Sequence, residues 1–469
     1  MSSAILIREL PRAPSHARLF EKFVARPYPF LLESGRGYGE LGRFSFLGCD
    51  PFLVVKSVGR RVEVTGSQGR RTFTASPFDV IDDLLARYSL PKGDYPVPFV
   101  GGAVGYLGYD LGRLIERLPN RPLDDLRTPE SVLCWYDTLV AYDHTSRKAY
   151  AISTGLPERR GPKRAARAKS RLDELLGIVT GASATEGHLH NTKQSLGKLT
   201  STFTKAAYIN AIARAKEHIV AGDIYQVNLS QRFSVPWRVS PWTLYKRLQR
   251  INPSPFAAYL QYPGFAVVSA SPERFLRRTG DLIETRPIKG TRPRGKTPAA
   301  DRRLARQLQA SAKDRAEHIM IVDLERNDLG RVAKIGSVRV AKMMALERFP
   351  TVHHLVSTVQ AALPRETPVG DLLRATFPGG SITGAPKIRS MEIIDELEPV
   401  SRGIYTGAIG YFSATGDLDI NIAIRTFVVK EGIAHFHAGG GIVYDSDPAA
   451  EYQETLDKAR ALFEALRGS

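Results

Sequence analysis

Arg286-Pro287-Ile288-Lys289-Gly290-Thr291-Arg292-Pro293-Arg294-Gly295 sets one lysine between an apolar Pro-Ile pair and a Gly-Thr step, in a stretch crowded with arginine. A lysine in water titrates near 10.4, so about one amine in 2,500 is free at neutral pH. Desolvation by Pro287 and Ile288, with repulsion from the neighbouring arginines, favours the neutral form. A lysine placed like that can act as a nucleophile. The competing reading is a basic loop in solvent, because charge runs are usually solvated.

Around this stretch lie 469 residues, 43% hydrophobic and 24% charged, the composition of a soluble globular protein with ample core. No apolar run reaches the roughly 18 residues of a membrane span. The opening residues 1–9 hold too short an apolar stretch, without a basic leader, to act as a secretory signal. Cys49 and Cys134 cannot build a disulfide framework or a cysteine-rich zinc site, so a reducing cytoplasm is the expected compartment. The net charge of +18 suits an anionic partner of some kind. The densest basic run, Arg159 to Arg171, has no interleaved aromatic; it reads as an exposed helix face with Leu172, Leu175 and Leu176 inward. Neither nucleic acid nor a membrane is an expected partner.

Residues 1–177 form the N-terminal part, in which about 15 to 155 alternate short strands and loops, with a helix opening at Ser76-Pro77. Residues 178–200 are rich in Gly, Ala, Ser, Thr and Asn without periodicity and read as a linker. Residues 201–469 form the C-terminal portion, which begins with a helix over 206–220 and a strand over 224–230.

Within 201–469, a pair of helices carries carboxylates three residues apart: Asp314 with Glu317, and Glu451 with Glu454. The first, over 314–324, has apolar residues all round its wheel and reads as a buried helix. An ionised Glu317 there needs a partner. The second begins at Asp447-Pro448, a cap followed by a first-turn proline. Its stripe of Tyr452, Leu456, Ala459, Phe463 and Leu466 leaves Glu451, Glu454 and Lys458 on the opposite side. Those acids either complement the helix dipole in solvent or join the first pair around a hard cation, Mg²⁺ above all. Between the helices lie the 377–387 stretch FPGGSITGAPK, the glycines Gly439, Gly440 and Gly441, and Arg425, each suited to an anion.

Together, SPERF (271–275), PIKGTRPRG (287–295), DRAEHIMIVDLERNDLGRV (314–332), FPGGSITGAPK (377–387), AGGGIV (438–443) and AEYQETLDK (450–458) resemble the chorismate-utilising enzymes, and most closely their aminodeoxychorismate synthase component I branch. The likeness runs from about Phe203 to Leu466. It implies an α+β fold of two large antiparallel β-sheets packed as a sandwich with helices outside, both halves of the chain contributing. Members that aminate chorismate at C4 carry PIKGT, whereas anthranilate synthases have alanine at the Lys289 position. Gln226 stands where members that activate water carry a lysine.

The resemblance implies roles residue by residue. Lys289 attacks C2 of chorismate while Glu273 protonates the departing C4 hydroxyl, and ammonia then adds at C4. Mg²⁺ is held by Glu317 and Glu454, with Glu451 and Asp314 in support. Thr291, His354, Ser381, Thr383, Tyr405, Arg425, Gly439, Gly440, Gly441 and Lys458 seat the substrate. Neither cysteine lies in a glutaminase-type elbow, so a separate glutamine amidotransferase subunit is the implied ammonia source. Leu32, Glu33 and Ser34, with Asn252, Pro253, Ser254 and Phe256, resemble the family's tryptophan pocket. Anthranilate synthase component I is the alternative reading.

Overall fold

The computed structural model describes residues 5–11, 14–34, 38–181, 197–349 and 352–467. Of the linker expected over 178–200, residues 182–196 lie outside the described residues, as do residues 1–4 of the start.

Two sheets form, each of twelve strands among the described residues, and every pairing between named strands is antiparallel. The first runs from Leu6–Leu10 through Phe44–Gly48, Phe30–Glu33, Phe256–Tyr262, Phe265–Ser271 and Thr426–Lys430 to Ile433–Ile442 and Gln226–Pro236. The second runs from Ile288–Pro293 through Val352–Ala362, Leu282–Arg286, Arg274–Thr279, Leu418–Ile422 and Ala408–Ser413 to Gly102–Leu107 and Ser131–Tyr136. Both halves of the chain enter both sheets. Phe30–Glu33 pairs with Phe256–Tyr262 in one, and Gly102–Leu107 pairs with Ala408–Ser413 in the other. The sandwich implied by the motifs is the architecture found.

One apolar core, with Phe46, Phe99, Leu260, Val267, Ile409 and Ile420, lies between the sheets. A second lies outside the first sheet, beneath the helices Gly161–Thr180, Pro241–Ile251 and Pro448–Arg467. A third lies under Lys205–Val220 and Lys387–Leu397. The first sheet is therefore largely apolar on both faces, and strands such as Phe265–Ser271 and Thr426–Lys430 read as near-continuous hydrophobic runs, whereas Gln226–Pro236 alternates. Among the described residues no helix is long and apolar enough to cross a membrane.

Three sequence expectations change. The basic run is only partly solvated: Arg167 and Arg171 both pair with the fully buried Asp137, because that carboxylate needs cationic partners away from water. The helix Ala312–Gly330 is not buried all round. Its inward face is His318, Ile321, Val322, Glu325, Asp328 and Leu329, while Ile319 is exposed. Polar residues turn inward there because buried partners meet them: Lys387 pairs with Asp328 and the Thr285 hydroxyl donates to Glu325. On Pro448–Arg467 the buried set is Glu451, Thr455, Ala459, Leu462, Ala465 and Leu466. Glu451 thus lies on the packed side, its Oε1 accepting from the Ser446 hydroxyl at 2.7 Å.

Candidate active site

Lys289 sits on the edge strand Ile288–Pro293, inside a bulge. Ile288 opposes Val356 and Thr291 opposes His354, so Lys289 and Gly290 together face Leu355. A two-against-one step bends a strand and re-aims its side chains. Gly290 takes φ +82° there. That backbone conformation favours glycine, and a Cβ on it would lie 2.9 Å from Leu308 Cδ1 and 3.2 Å from Asp314 Cβ, so the fit is close as well. Burial lowers the pKa of the Lys289 amine; the Lys458 ammonium adds to the fall, and Glu317, Glu273 and Glu454 oppose it.

Glu273, just beyond the strand Phe265–Ser271, is buried. Its Oε1 accepts from the Ile288 N–H at 3.3 Å, one residue before the lysine. Burial raises its pKa, against the pull of Ser381, Lys289, Ile288 N–H and Lys458. An acid shifted towards its protonated form thus lies beside an amine shifted towards its neutral form, the pairing that acid-assisted nucleophilic attack requires.

Three of the four expected acids converge. Glu317 and Glu451 meet across the Lys313 ammonium. Glu454 pairs with Lys458 at 2.7 Å, and Lys458 also donates to the Gly439 carbonyl at 3.1 Å. A Cβ on Gly440 would lie 3.3 Å from Glu451 Oε2, 3.4 Å from Glu454 Oε1 and 3.6 Å from Lys458 Nζ. Asp314 instead takes Arg292 at 3.0 Å. As they stand, no three acids or imidazoles form a closed metal-ligand cluster among the described residues. Glu451 Oε2 is nonetheless buried without a partner. An unpaired carboxylate oxygen in an all-oxygen donor set fits a hard cation.

The substrate-seating candidates gather less evenly. His354 places Nδ1 at 2.8 Å from the Thr291 hydroxyl across the ladder, and its buried Nε2 has no partner. Burial, helped by Arg425, lowers its pKa to about 3, so the ring is neutral. Arg425, at φ +51°, reaches Asn252 Oδ1 at 3.4 Å, and burial lowers its pKa too. Such a guanidinium suits a carboxylate ligand. Tyr405 stacks on His437 with ring centroids 4.8 Å apart. Ser381 faces Glu273. The Thr383 hydroxyl is instead spent on the Gly379 and Gly380 carbonyls, both at 3.2 Å. Gly439 and Gly441 fit tightly: a Cβ would lie 2.4 Å from the Leu229 carbonyl oxygen and 2.3 Å from Gln226 Nε2 respectively. Both amide atoms of Gln226 are buried and unpartnered.

A separate cavity of about 310 Å³ lies between the sheets, its wall including Leu32, Glu33, Ser34, Phe256 and Arg274. Neither Lys289, Glu273 nor Glu317 lines it. Asn252, Pro253 and Ser254, expected there, stand off its wall: the Pro253 carbonyl accepts from Tyr38, and the Ser254 hydroxyl donates to the Ala270 carbonyl at 2.8 Å. The Glu33 carboxylate turns away to His16 at 2.6 Å and Tyr245 at 2.5 Å.

A family model described as chorismate binding enzyme matches residues 38–464, a span that includes every element of this site. The chain belongs to the chorismate-binding enzymes. It is 40% identical to anthranilate synthase component 1 of Acetivibrio thermocellus, over 96% of this chain and 92% of that one. To aminodeoxychorismate synthase component 1 of Bacillus subtilis (strain 168) it is 41% identical, over 96% and 94%. The solved anthranilate synthase component I from Streptococcus pneumoniae TIGR4 superposes with a TM-score of 0.80 at 34% identity, covering 89% of this chain and 91% of that one. Chorismate-binding enzymes with either name thus stand equally near.

One residue with no sequence signal of its own emerges in this chorismate-binding enzyme. His318 is wholly buried and bonded to the Lys289 backbone. Within an apolar run next to Glu317, its letter carries no hint of that contact.

Proposed function

We propose that this chorismate-binding enzyme is the component I of an aminodeoxychorismate synthase, converting chorismate and ammonia into 4-amino-4-deoxychorismate on the way to 4-aminobenzoate and folate. The observation that carries it is Lys289: an amine biased to neutrality, in a bulge one residue from the N–H that Glu273 accepts. The Lys289 amine attacks ring carbon C2 while Glu273 gives its proton to the C4 hydroxyl, which leaves as water. Ammonia adds at C4 and the lysine departs from C2. A positioned acid is worth about 10²–10⁴-fold in such a step, and the covalent intermediate divides one difficult displacement into two.

Glu317, Glu451 and Glu454 are the residues that would hold Mg²⁺, with Asp314 in support. When bound, the ion supplies positive charge for the ring carboxylate. Arg425 pairs with a second carboxylate, the Gly439–Gly441 backbone lets the ring approach closely, and neutral His354 lies beside it. Ser381, Thr291, Tyr405 and Lys458 complete the seat, while the Thr383 hydroxyl stays with the Gly379 and Gly380 carbonyls. Cys49 and Cys134 are buried, and burial pushes both thiols up, which supports ammonia reaching the site from a separate glutaminase subunit. The cavity beside Ser34 and Phe256 is of a size for tryptophan.

The near-equal identities to relatives named anthranilate synthase keep that reaction as the second reading. Chorismate, Mg²⁺ and ammonium, with products resolved chromatographically, separate the two: 4-amino-4-deoxychorismate is expected, and the ortho-aminated, pyruvate-free product would replace this reading with the second.

A further inference from the structure

Bulges on both neighbours face the strand Val352–Ala362, one in Ile288–Pro293 and two in Arg339–Arg348. On one side Lys289 and Gly290 share Leu355. On the other, in Arg339–Arg348, Met343 and Met344 share Ser357, with Met344 at φ +48°. A bulge leaves one residue outside the ladder, and its backbone groups need partners from elsewhere. The His318 imidazole spans both. Its Nδ1 lies 3.4 Å from the Lys289 carbonyl oxygen and its Nε2 lies 2.6 Å from Ser357 Oγ. Ser357 Oγ takes the Met344 N–H at 2.9 Å.

The direction of these bonds is fixed by chemistry. A carbonyl can only accept, so the imidazole proton sits on Nδ1, and Nε2 accepts from the Ser357 hydroxyl. Donation runs one way, from Met344 N–H through Ser357 and His318 to the Lys289 carbonyl. Burial keeps the ring neutral, as that pattern requires.

We propose that His318 is a positioning residue: it holds the Lys289 bulge in register and thereby aims the amine, without touching substrate. The inference rests on the reading of Lys289 as nucleophile. His318 follows Glu317 on one helical turn, so that turn sets both the carboxylate and, through the imidazole, the backbone of the lysine. An apolar side chain at 318 would take this donor from the Lys289 carbonyl and this acceptor from the Ser357 hydroxyl, which would keep only its contacts with Met343 and Met344. The bulge would then be free to slide to the other side of Gly290.

His318→Asn keeps an amide N–H near the place of Nδ1; His318→Leu keeps bulk and loses both polar atoms. In the full chain without chorismate, acetylation of Lys289 by acetic anhydride is read by peptide mass spectrometry relative to the other lysines. Steady-state constants for chorismate with ammonium and Mg²⁺ are read alongside. His318→Leu is expected to shift relative Lys289 acetylation by about threefold or more and to lower kcat by about 10²-fold, with KM within about twofold. His318→Asn is expected to recover most of both losses. Equal behaviour of the two variants, or unchanged Lys289 acetylation in His318→Leu, overturns the inference. Should His318→Leu not fold, Ser357→Ala loosens the same relay from its other end, and parental values of both readouts there overturn it equally. If acetylation follows the expected order while the parent makes no C4-aminated product, the positioning stands and the assigned reaction fails.

Discussion

Glu317 and Glu451, from helices far apart in the chain, address one ammonium: Lys313 Nζ lies 4.0 Å from Glu317 Oε1 and 3.7 Å from Glu451 Oε1. Lys313 is half in water, so each contact is weak. Its position is what matters. A divalent cation gathered by the same carboxylates must displace that ammonium. Lys313→Met is therefore expected to tighten Mg²⁺ binding by about 1.5- to 5-fold, read by titration calorimetry. Weaker binding would mean that the lysine assists the cation.

Lys289→Ala and Glu273→Gln divide the proposed chemistry. Losing the amine should abolish C4 amination, by about 10³-fold or more, while leaving Mg²⁺ binding intact. Losing the acid should cost about 10²–10⁴-fold in kcat with chorismate still bound. Undiminished turnover in either variant removes that residue from the mechanism. Single-turnover rates with ammonium give both numbers.

Arg425 should act on binding more than on chemistry. A charge-assisted bond to a carboxylate is worth about 1.5–3 kcal/mol. Arg425→Gln is thus expected to raise the KM for chorismate by about 10- to 100-fold, with kcat changed much less. A fall confined to kcat would place the guanidinium at the reacting carbons instead.

Acid should loosen the site before it unfolds the sandwich. Burial presses His354 to about 3 and His318 to about 4, while the unfolded chain titrates both near 6.5. Below about pH 6.5 the unfolded chain binds protons that the folded chain refuses. The stabilising contribution of these rings is complete above that pH and drains away as pH falls towards their folded values. The difference in unfolding free energy between the parent and His354→Asn should shrink by at most roughly 1.4 kcal/mol per pH unit across that window, measured by urea denaturation. A difference that stays constant with pH would mean that the folded ring titrates normally.

The motifs around Glu273, Lys289, Glu317 and Glu454 are legible because each is a short run of unusual letters, and the resemblance supplies the sandwich. What stays hidden depends on strand register and on neighbours. The bulge at Lys289 comes from pairing with a strand some 65 residues later, as Ile288 meets Val356, which no local pattern encodes. Periodicity takes 314–324 for an apolar helix because it counts letters and not partners. His318, Glu325 and Asp328 turn inward only because Ser357, Thr285 and Lys387 wait there. Glu451 falls on the wrong side of its helix for the same reason, through Ser446. The residues expected to share one pocket divide: Leu32, Ser34 and Phe256 face the cavity, whereas Asn252 leans to Arg425.

Because Phe30–Glu33 is zipped to Phe256–Tyr262 and Gly102–Leu107 to Ala408–Ser413, severing the backbone anywhere between residues 181 and 197 should not release two independent bodies. The pieces would remain clasped, and each alone would expose naked strand edges and aggregate. Co-expressed fragments 1–181 and 197–469 are expected to co-purify as a single species, while either by itself goes to inclusion bodies. In this molecule, order along the backbone and partition of the solid are different things: the lysine-bearing half is expected to have no folded existence apart from the other.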